Sequence, residues 1–287
     1  MIFEKSLIES MKKRYSVRTF DEKNITDAHF DKISTYISDE QNLTDPFGKI
    51  NKIELVKVTK NVSDKGLKLG TYGIIKNPRG YLIGITKNDK YSIVGSGYTL
   101  QKLIILLTEL GIGTCWMGGT FSRSSFEKEI ELNEGEFIPC ITPIGYPLDN
   151  KSFIDKTLRF LAKSDNRKSW DQIVFDSHLG KPLSKSDSGL LETPLEMVRI
   201  GPSASNKQPW RIIVSEDRTL YHFYIEHTPN YNRMGYDMQM LDMGIAIAQF
   251  ELACNELNLK GDWVLEEPML DLPSSPHTEY IVSWKIK

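Results

Sequence analysis

The chain has 287 residues, 40% of them hydrophobic and 26% charged, with a formal net charge of −2. That length suits one large domain or two ordinary ones and can bury a substantial core, while the near-neutral charge argues against a general nucleic-acid binder. No apolar run reaches the ~18 residues of a membrane span, and the charge-interrupted N-terminus MIFEKSLIESMKKRYS lacks a signal-peptide core. Cys115, Cys140 and Cys254 each lie in an apolar or helical context and read as reduced thiols of a cytoplasmic protein, not as a disulfide framework or a zinc site.

In chain order, RYSVRTF (14–20) comes first. Arg14, Ser16 and Arg18 alternate, so an extended segment points all three to one side. Two guanidiniums around a hydroxyl suit a phosphate, although an exposed basic strand or helix start would read the same way. Thr26 is placed to cap a helix. GYLIGITKN (80–88) reads as a strand. VGSGYTL has Gly95 and Gly97 but Leu100 where a dinucleotide fingerprint needs glycine, and it precedes the next helix without a Rossmann βαβ context, so it is set aside. GYTLQKLIILLTEL (97–110) has the spacing of a buried helical face. GIGTCWMGG (111–119) ends that helix and continues as a backbone with little side chain, able to approach a flat ligand with its N–H groups or to be an ordinary loop. ITPIGYP (141–147) is a strand.

The polar stretch around 150–185 reads as a junction, with Lys163 and Arg167 either solvated or available to an anion. Thr193-Pro194-Leu195-Glu196 has the pattern of a capping box with proline in the first turn. GPSASN (201–206) is a turn by its own chemistry, and Gln208-Pro209 is expected to extend the chain before Trp210. LYHFYIEHT (220–228) is a strand, MLDMGIAIAQFELACNEL (240–257) a helix apolar almost all round and so central, and EYIVSWK (279–285) a strand.

These elements repeat. TELGIGTCW (108–116) matches NELNLKGDW (255–263) without a gap at an offset of 147, with Gly111 and Asn258 both suited to the left-handed close of a helix. The flanking strands recur in the same order. The chain therefore reads as two copies of a helix–strand–strand–long helix–strand unit, at 1–165 and 166–287. The copies are unequal: RYSVRTF occurs only in the first and GPSASNKQPW only in the second.

Taken together, RYSVRTF, GPSASNKQPW, ELGIGTCWMGG, IGYP and AKSDNRKSWDQIVF resemble the FMN-dependent nitroreductase family, most closely its branch in which one chain holds both halves of the usual dimer. The resemblance implies an α+β fold of nitroreductase type, each half a mostly antiparallel sheet sandwiched by helices, packed as an intrachain pseudo-dimer. It implies one FMN per chain between RYSVR and GPSASN, with the mirror-related cleft lacking both. Arg14, Ser16 and Arg167 would hold the phosphate, assisted by Lys163, and Arg18 would stand near the N1–O2 edge. Met117, Gly118 and Gly119 would present backbone N–H groups to N5 and O4. Pro202, Ser203 and Asn206 would wall the flavin from the second half. Gly73 and Asn77, in TYGIIKNPRGY, would only loosely match the segment over the pyrimidine.

The activity so implied moves electrons from NAD(P)H through FMN to a nitroaromatic, quinone or flavin acceptor, in a monomeric, cytoplasmic protein with no nucleic-acid or membrane partner. The alternatives are a flavin-dependent dehydrogenase or dehalogenase on the same fold, or a non-catalytic flavin-binding protein. No catalytic acid, nucleophile or metal ligand is nominated.

Overall fold

The computed structural model describes residues 4–58, 70–148, 166–229, 231, 235–268 and 277–287. Among these residues the first unit contains helices α1 (Leu7–Lys13), α2 (Asp27–Ser38), α3 (Glu40–Leu43), α4 (Lys90–Glu109) and α5 (Arg123–Phe126). Its strands are β1 (Lys52–Lys57), β2 (Gly80–Lys87), β3 (Gly113–Thr114), β4 (Glu136–Phe137) and β5 (Ile141–Gly145). The second contains α6 (Glu192–Ile200), α7 (Gln239–Glu256), β6 (Val174–Asp176), β7 (Trp210–Val214), β8 (Leu220–Glu226), β9 (Gly261–Val264) and β10 (Thr278–Ile286).

The duplication is a duplication of topology. The first sheet runs β1-β2-β5-β3, with β4 on β2, and the second runs β6-β7-β8-β10-β9. Apart from β4 and β6, each sheet orders its strands identically: the hairpin pair, then the strand that closes the unit, then the short strand after the long helix. All pairings are antiparallel except β6 on β7. Residues Gly80 to Thr86 of β2 are buried without alternation, as expected of a strand covered on both faces. Gly111 and Asn258 have φ of 76° and 58° directly after α4 and α7, so both helices close in the left-handed manner the sequence suggests.

The halves meet where α4 crosses α7. A Cβ on Gly97 would collide with the Leu241 carbonyl, and a Cβ on Gly244 would collide with the Val94 carbonyl. The offset of 147 exchanges the two contacts, Gly97 with Gly244 and Val94 with Leu241, so the pseudo-twofold axis passes through this glycine crossing. Gly95 and Gly97 are interior helix residues, because the helix starts earlier than the expected Gly97, at Lys90 behind an Asp89 cap. Thr193 is also corrected. It lies inside α6, which runs on directly from a 3-10 segment (Ser186–Leu191), so no extended cap position exists at 193. Thr26 does cap α2, its hydroxyl accepting from the His29 N–H.

The crossing yields a stability prediction. Alanine for glycine in an ordinary helix gains about 1 kcal/mol. Here the added methyl meets backbone that cannot rotate away, and overpacking costs about 1–3 kcal/mol or more. Gly97→Ala and Gly244→Ala should each lower the denaturant midpoint, and a midpoint unchanged in both would show that the crossing can absorb the added methyls.

Candidate functional site

A cavity of about 700 Å³ opens between the halves, within the size range of small-molecule and cofactor sites. Its first wall is built on the edge of β3. Ser16 bridges Thr114 in parallel, with the Val17 N–H donating to Thr114 O at 2.8 Å. This extended pairing buries Val17 and turns Arg14, Ser16 and Arg18 together into the cavity. Lys12 and Lys13, at the end of α1, add charge to the same mouth.

The loop that follows β3 forms the second wall. Met117 pairs with Ile141 in both directions, at 3.0 and 2.9 Å, and its side chain is buried in the core. Its N–H is therefore committed to β5 and Met117 does not line the cavity, unlike the expectation for it. Gly118, Gly119 and Thr120 do line it, and their N–H groups donate to nothing among the described residues. A Cβ on Gly118 would lie 2.8 Å from Met238 Sδ, so this stretch of backbone is pressed close to α7.

The third wall comes from the second half. Pro202, Ser203 and Asn206 all line the cavity. The turn is strained, with φ of 47° at Ser205, 55° at Asn206 and 50° at Gln208, values that non-glycine residues seldom adopt. Gln208 thus departs from the extension expected before proline. Its surroundings over-determine it: the Gln208 N–H donates to Ser203 Oγ at 2.9 Å, Nε2 donates to Asn206 O at 2.9 Å, and Oε1 accepts from the Lys168 N–H at 2.6 Å. Arg167 joins the same knot, donating to Ile200 O at 3.1 Å and to Asn206 Oδ1. Of the expected site residues, Arg14, Ser16, Arg18, Gly118, Gly119, Arg167, Pro202, Ser203 and Asn206 share this cavity. Lys163 lies outside the described residues, and Gly73 and Asn77 do not line the cavity.

Sequence reasoning missed the floor. Met238, Leu241, Asp242 and Ile245 follow helical spacing on the cavity face of α7. Asp242 carried a signal, being the lone charge in MLDMGIAIAQF. It is 2% exposed, and its Oδ1 accepts from the Ala204 N–H at 2.9 Å, which ties the GPSASN turn to the helix. Burial and the nearby Asp237 charge hold its carboxyl well above the usual aspartate range, against the lowering effect of the Ala204 bond. Cys140 also lines the cavity, but burial pushes its thiol up to about 12, so it offers no thiolate at neutral pH.

The mirror position is filled. At the offset of 147, Gly95 stands for Asp242, and the space a Cβ would take there is occupied by the Asp45 carboxylate. Tyr98 stands for Ile245, 3% exposed with its hydroxyl donating to Glu251 at 2.7 Å. Tyr91 stands for Met238 and packs on Phe47 with ring centroids 4.6 Å apart.

The sequence profile of a family described as "Putative TM nitroreductase" matches residues 6–254. No curated protein matches the chain. Among solved structures, that of a "putative nitroreductase (tm1586)" from Thermotoga maritima MSB8 is similar at a TM-score of 0.59 and 16% identity, covering 99% of this chain and 95% of that one. That likeness shows the fold. A nitroreductase family protein from Clostridium difficile 630 gives a TM-score of 0.43 at 14% identity, over 53% of this chain and 91% of that one. A "Putative NADH dehydrogenase/NAD(P)H nitroreductase" from Bacteroides thetaiotaomicron VPI-5482 gives 0.42 at 17%, over 52% and 91%. Among the described residues, no helix is long and apolar enough to cross a membrane.

The buried acid makes stability depend on pH. The folded pKa of Asp242 is raised, so its contribution is full below the unfolded aspartate value of about 4 and is lost as pH rises toward the folded value, at about 1.4 kcal/mol per pH unit. Asp242→Asn keeps an acceptor for the Ala204 N–H and removes the ionisation. Thermal unfolding at pH 5 and pH 8 should show the variant gaining on the wild type at the higher pH, and an unchanged gap would remove Asp242 from the titration.

Proposed function

We propose that this chain, which belongs to the TM nitroreductase family, is an FMN-dependent NAD(P)H oxidoreductase that binds one FMN in the cleft between its halves. One observation carries the reading. A cationic grip from the first half, a row of backbone N–H groups with no acceptor among the described residues and a polar turn from the second half share a single cavity of about 700 Å³. A planar, acceptor-rich ring system with an anionic tail needs that combination, and the site's apolar surfaces, Trp116, Leu241 and Ile245, suit its ring faces.

In this reading Arg14, Ser16 and Arg167 hold the phosphate, because guanidiniums form paired, charge-assisted bonds to phosphate oxygens. Arg18 places a cation in the same cavity, where it favours the more electron-rich reduced flavin. Gly118 and Gly119 donate backbone N–H groups to the ring acceptors, and Pro202, Ser203 and Asn206 close the far side. The bound cofactor supplies the redox chemistry, taking a hydride from NAD(P)H and passing electrons to a nitroaromatic, quinone or flavin acceptor. No side chain here acts as a nucleophile, and protons come from solvent through the open cleft. The filled mirror position supports a stoichiometry of one. We place the division of the chain at 165/166, because Arg167 and Lys168 already bond to groups of the second unit.

Two measurements test this. Anaerobic addition of NADH or NADPH to the FMN-loaded protein should bleach the visible flavin band, and tight FMN that neither nucleotide reduces would rule out the reductase. Arg14→Ala and Asn206→Ala, in different halves, should each weaken FMN binding. A phosphate–guanidinium contact is worth about 1.5–3 kcal/mol, so Arg14→Ala should raise Kd about tenfold or more. Unchanged affinity in Asn206→Ala would remove the second half from the site.

A further inference from the structure

The Gly118–Gly119 peptide is held from behind. Arg123 Nη2 donates to Gly118 O at 3.0 Å, and Arg123 Nε donates to Ile138 O at 2.9 Å. The Tyr236 hydroxyl stands 3.2 Å from Gly118 O, 2.6 Å from Pro139 O and 3.2 Å from Arg123 Nη2. A phenol has one hydrogen, and the shortest of these contacts takes it to Pro139 O. The bond to Gly118 O is therefore the guanidinium's, and it is charge-assisted. Arg123 also lies against two rings, its guanidinium carbon 5.0 Å from the Phe121 ring centroid and 5.2 Å from that of Tyr236.

Neither Arg123 nor Tyr236 lines the cavity, whereas Gly118 and Gly119 do. In a trans peptide the carbonyl and the following N–H point in opposite directions. Anchoring Gly118 O on the side away from the cavity therefore turns the Gly119 N–H toward it. Two consecutive glycines impose almost no conformational preference of their own, so that orientation has to be imposed by neighbours.

We propose that Arg123, braced by Tyr236 from the other half, is a positioning residue that aims and polarises the Gly119 N–H and thereby raises the reduction potential of flavin in the cleft. The inference rests on the FMN reading above. A guanidinium on the carbonyl fixes the peptide plane and draws electron density from the N–H. Both effects favour the more electron-rich, reduced ring over the oxidised one. Because the brace comes from the second half, the same contact makes the donor's aim depend on the pseudo-dimer packing.

The test compares FMN-loaded wild type with Arg123→Met, Arg123→Lys and Tyr236→Phe by anaerobic equilibration against a reference dye. Arg123→Met should lose about tenfold in its preference for reduced over oxidised FMN, which is about 30 mV for a two-electron couple. Arg123→Lys, which keeps a cationic donor, should recover at least half of that, and Tyr236→Phe should show a smaller loss of the same sign. Flavin that binds with the same potential in all variants overturns this inference alone. If Arg123→Met does not fold, a wild-type potential in Tyr236→Phe together with one in Arg123→Lys overturns it. If the wild type binds no FMN, the reading of the cleft falls and this inference falls with it.

Discussion

The structure depends on the close crossing of α4 and α7. Two long helices can approach at backbone distance only where side chains are missing, and Gly97 and Gly244 supply that gap in a reciprocal pair. The crossing sets the pseudo-twofold relation of the two sheets. It also brings the cavity face of α7 beside the loop after β3, with Met238 against Gly118. Without that approach the cationic strand of the first half and the strained turn of the second would face solvent separately.

Symmetry of backbone coexists with asymmetry of contents. Each half keeps a buried carboxylate near the crossing, but from different places. In the second half Asp242 sits on the helix and binds the turn through the Ala204 N–H. In the first, the helix has Gly95, and Asp45 reaches in from the corresponding loop, accepting from the N–H groups of Phe47 and Lys49 and from Asn51 Nδ2. Tyr98 and Tyr91 then fill the volume that Ile245 and Met238 leave open on the other side. Among the described residues, the helix face that lines the cavity in one half is thus covered by side chains in the other.

Inside the cleft, backbone groups matter as much as side chains. The β5 bridge consumes the hydrogen bonds of Met117, and the N–H groups of the next three residues, which line the cavity, donate to nothing among the described residues. The positive φ values at Ser205, Asn206 and Gln208 are sustained by side-chain bonds from Ser203, Gln208 and Arg167. Such strain persists only where neighbours over-determine it, and it concentrates at binding sites.

Much of this was legible in the residues. Periodicity located both long helices and the strands around them. The offset of 147 exposed the duplication, and Gly111 and Asn258 closed their helices as their residue types require. Alternation in RYSVRTF put Arg14, Ser16 and Arg18 on one side because a strand has period two. Other features were not local properties. The expected helix began only at Gly97 because what Gly95 and Gly97 make room for, the Asp45 carboxylate and the Leu241 backbone, appears in no local window of sequence. Met117 looked available because its partner Ile141 belongs to another strand, and Thr193 lost its cap to a 3-10 segment that ran into the helix. Asp242 stood out as a lone charge, but only packing could say that it underlies the cleft. Composition, pattern and spacing determined which elements form and that they form twice. Which backbone groups among the described residues keep a partner, and which side chains cover the helix face opposite the cavity, was decided by contacts between distant segments.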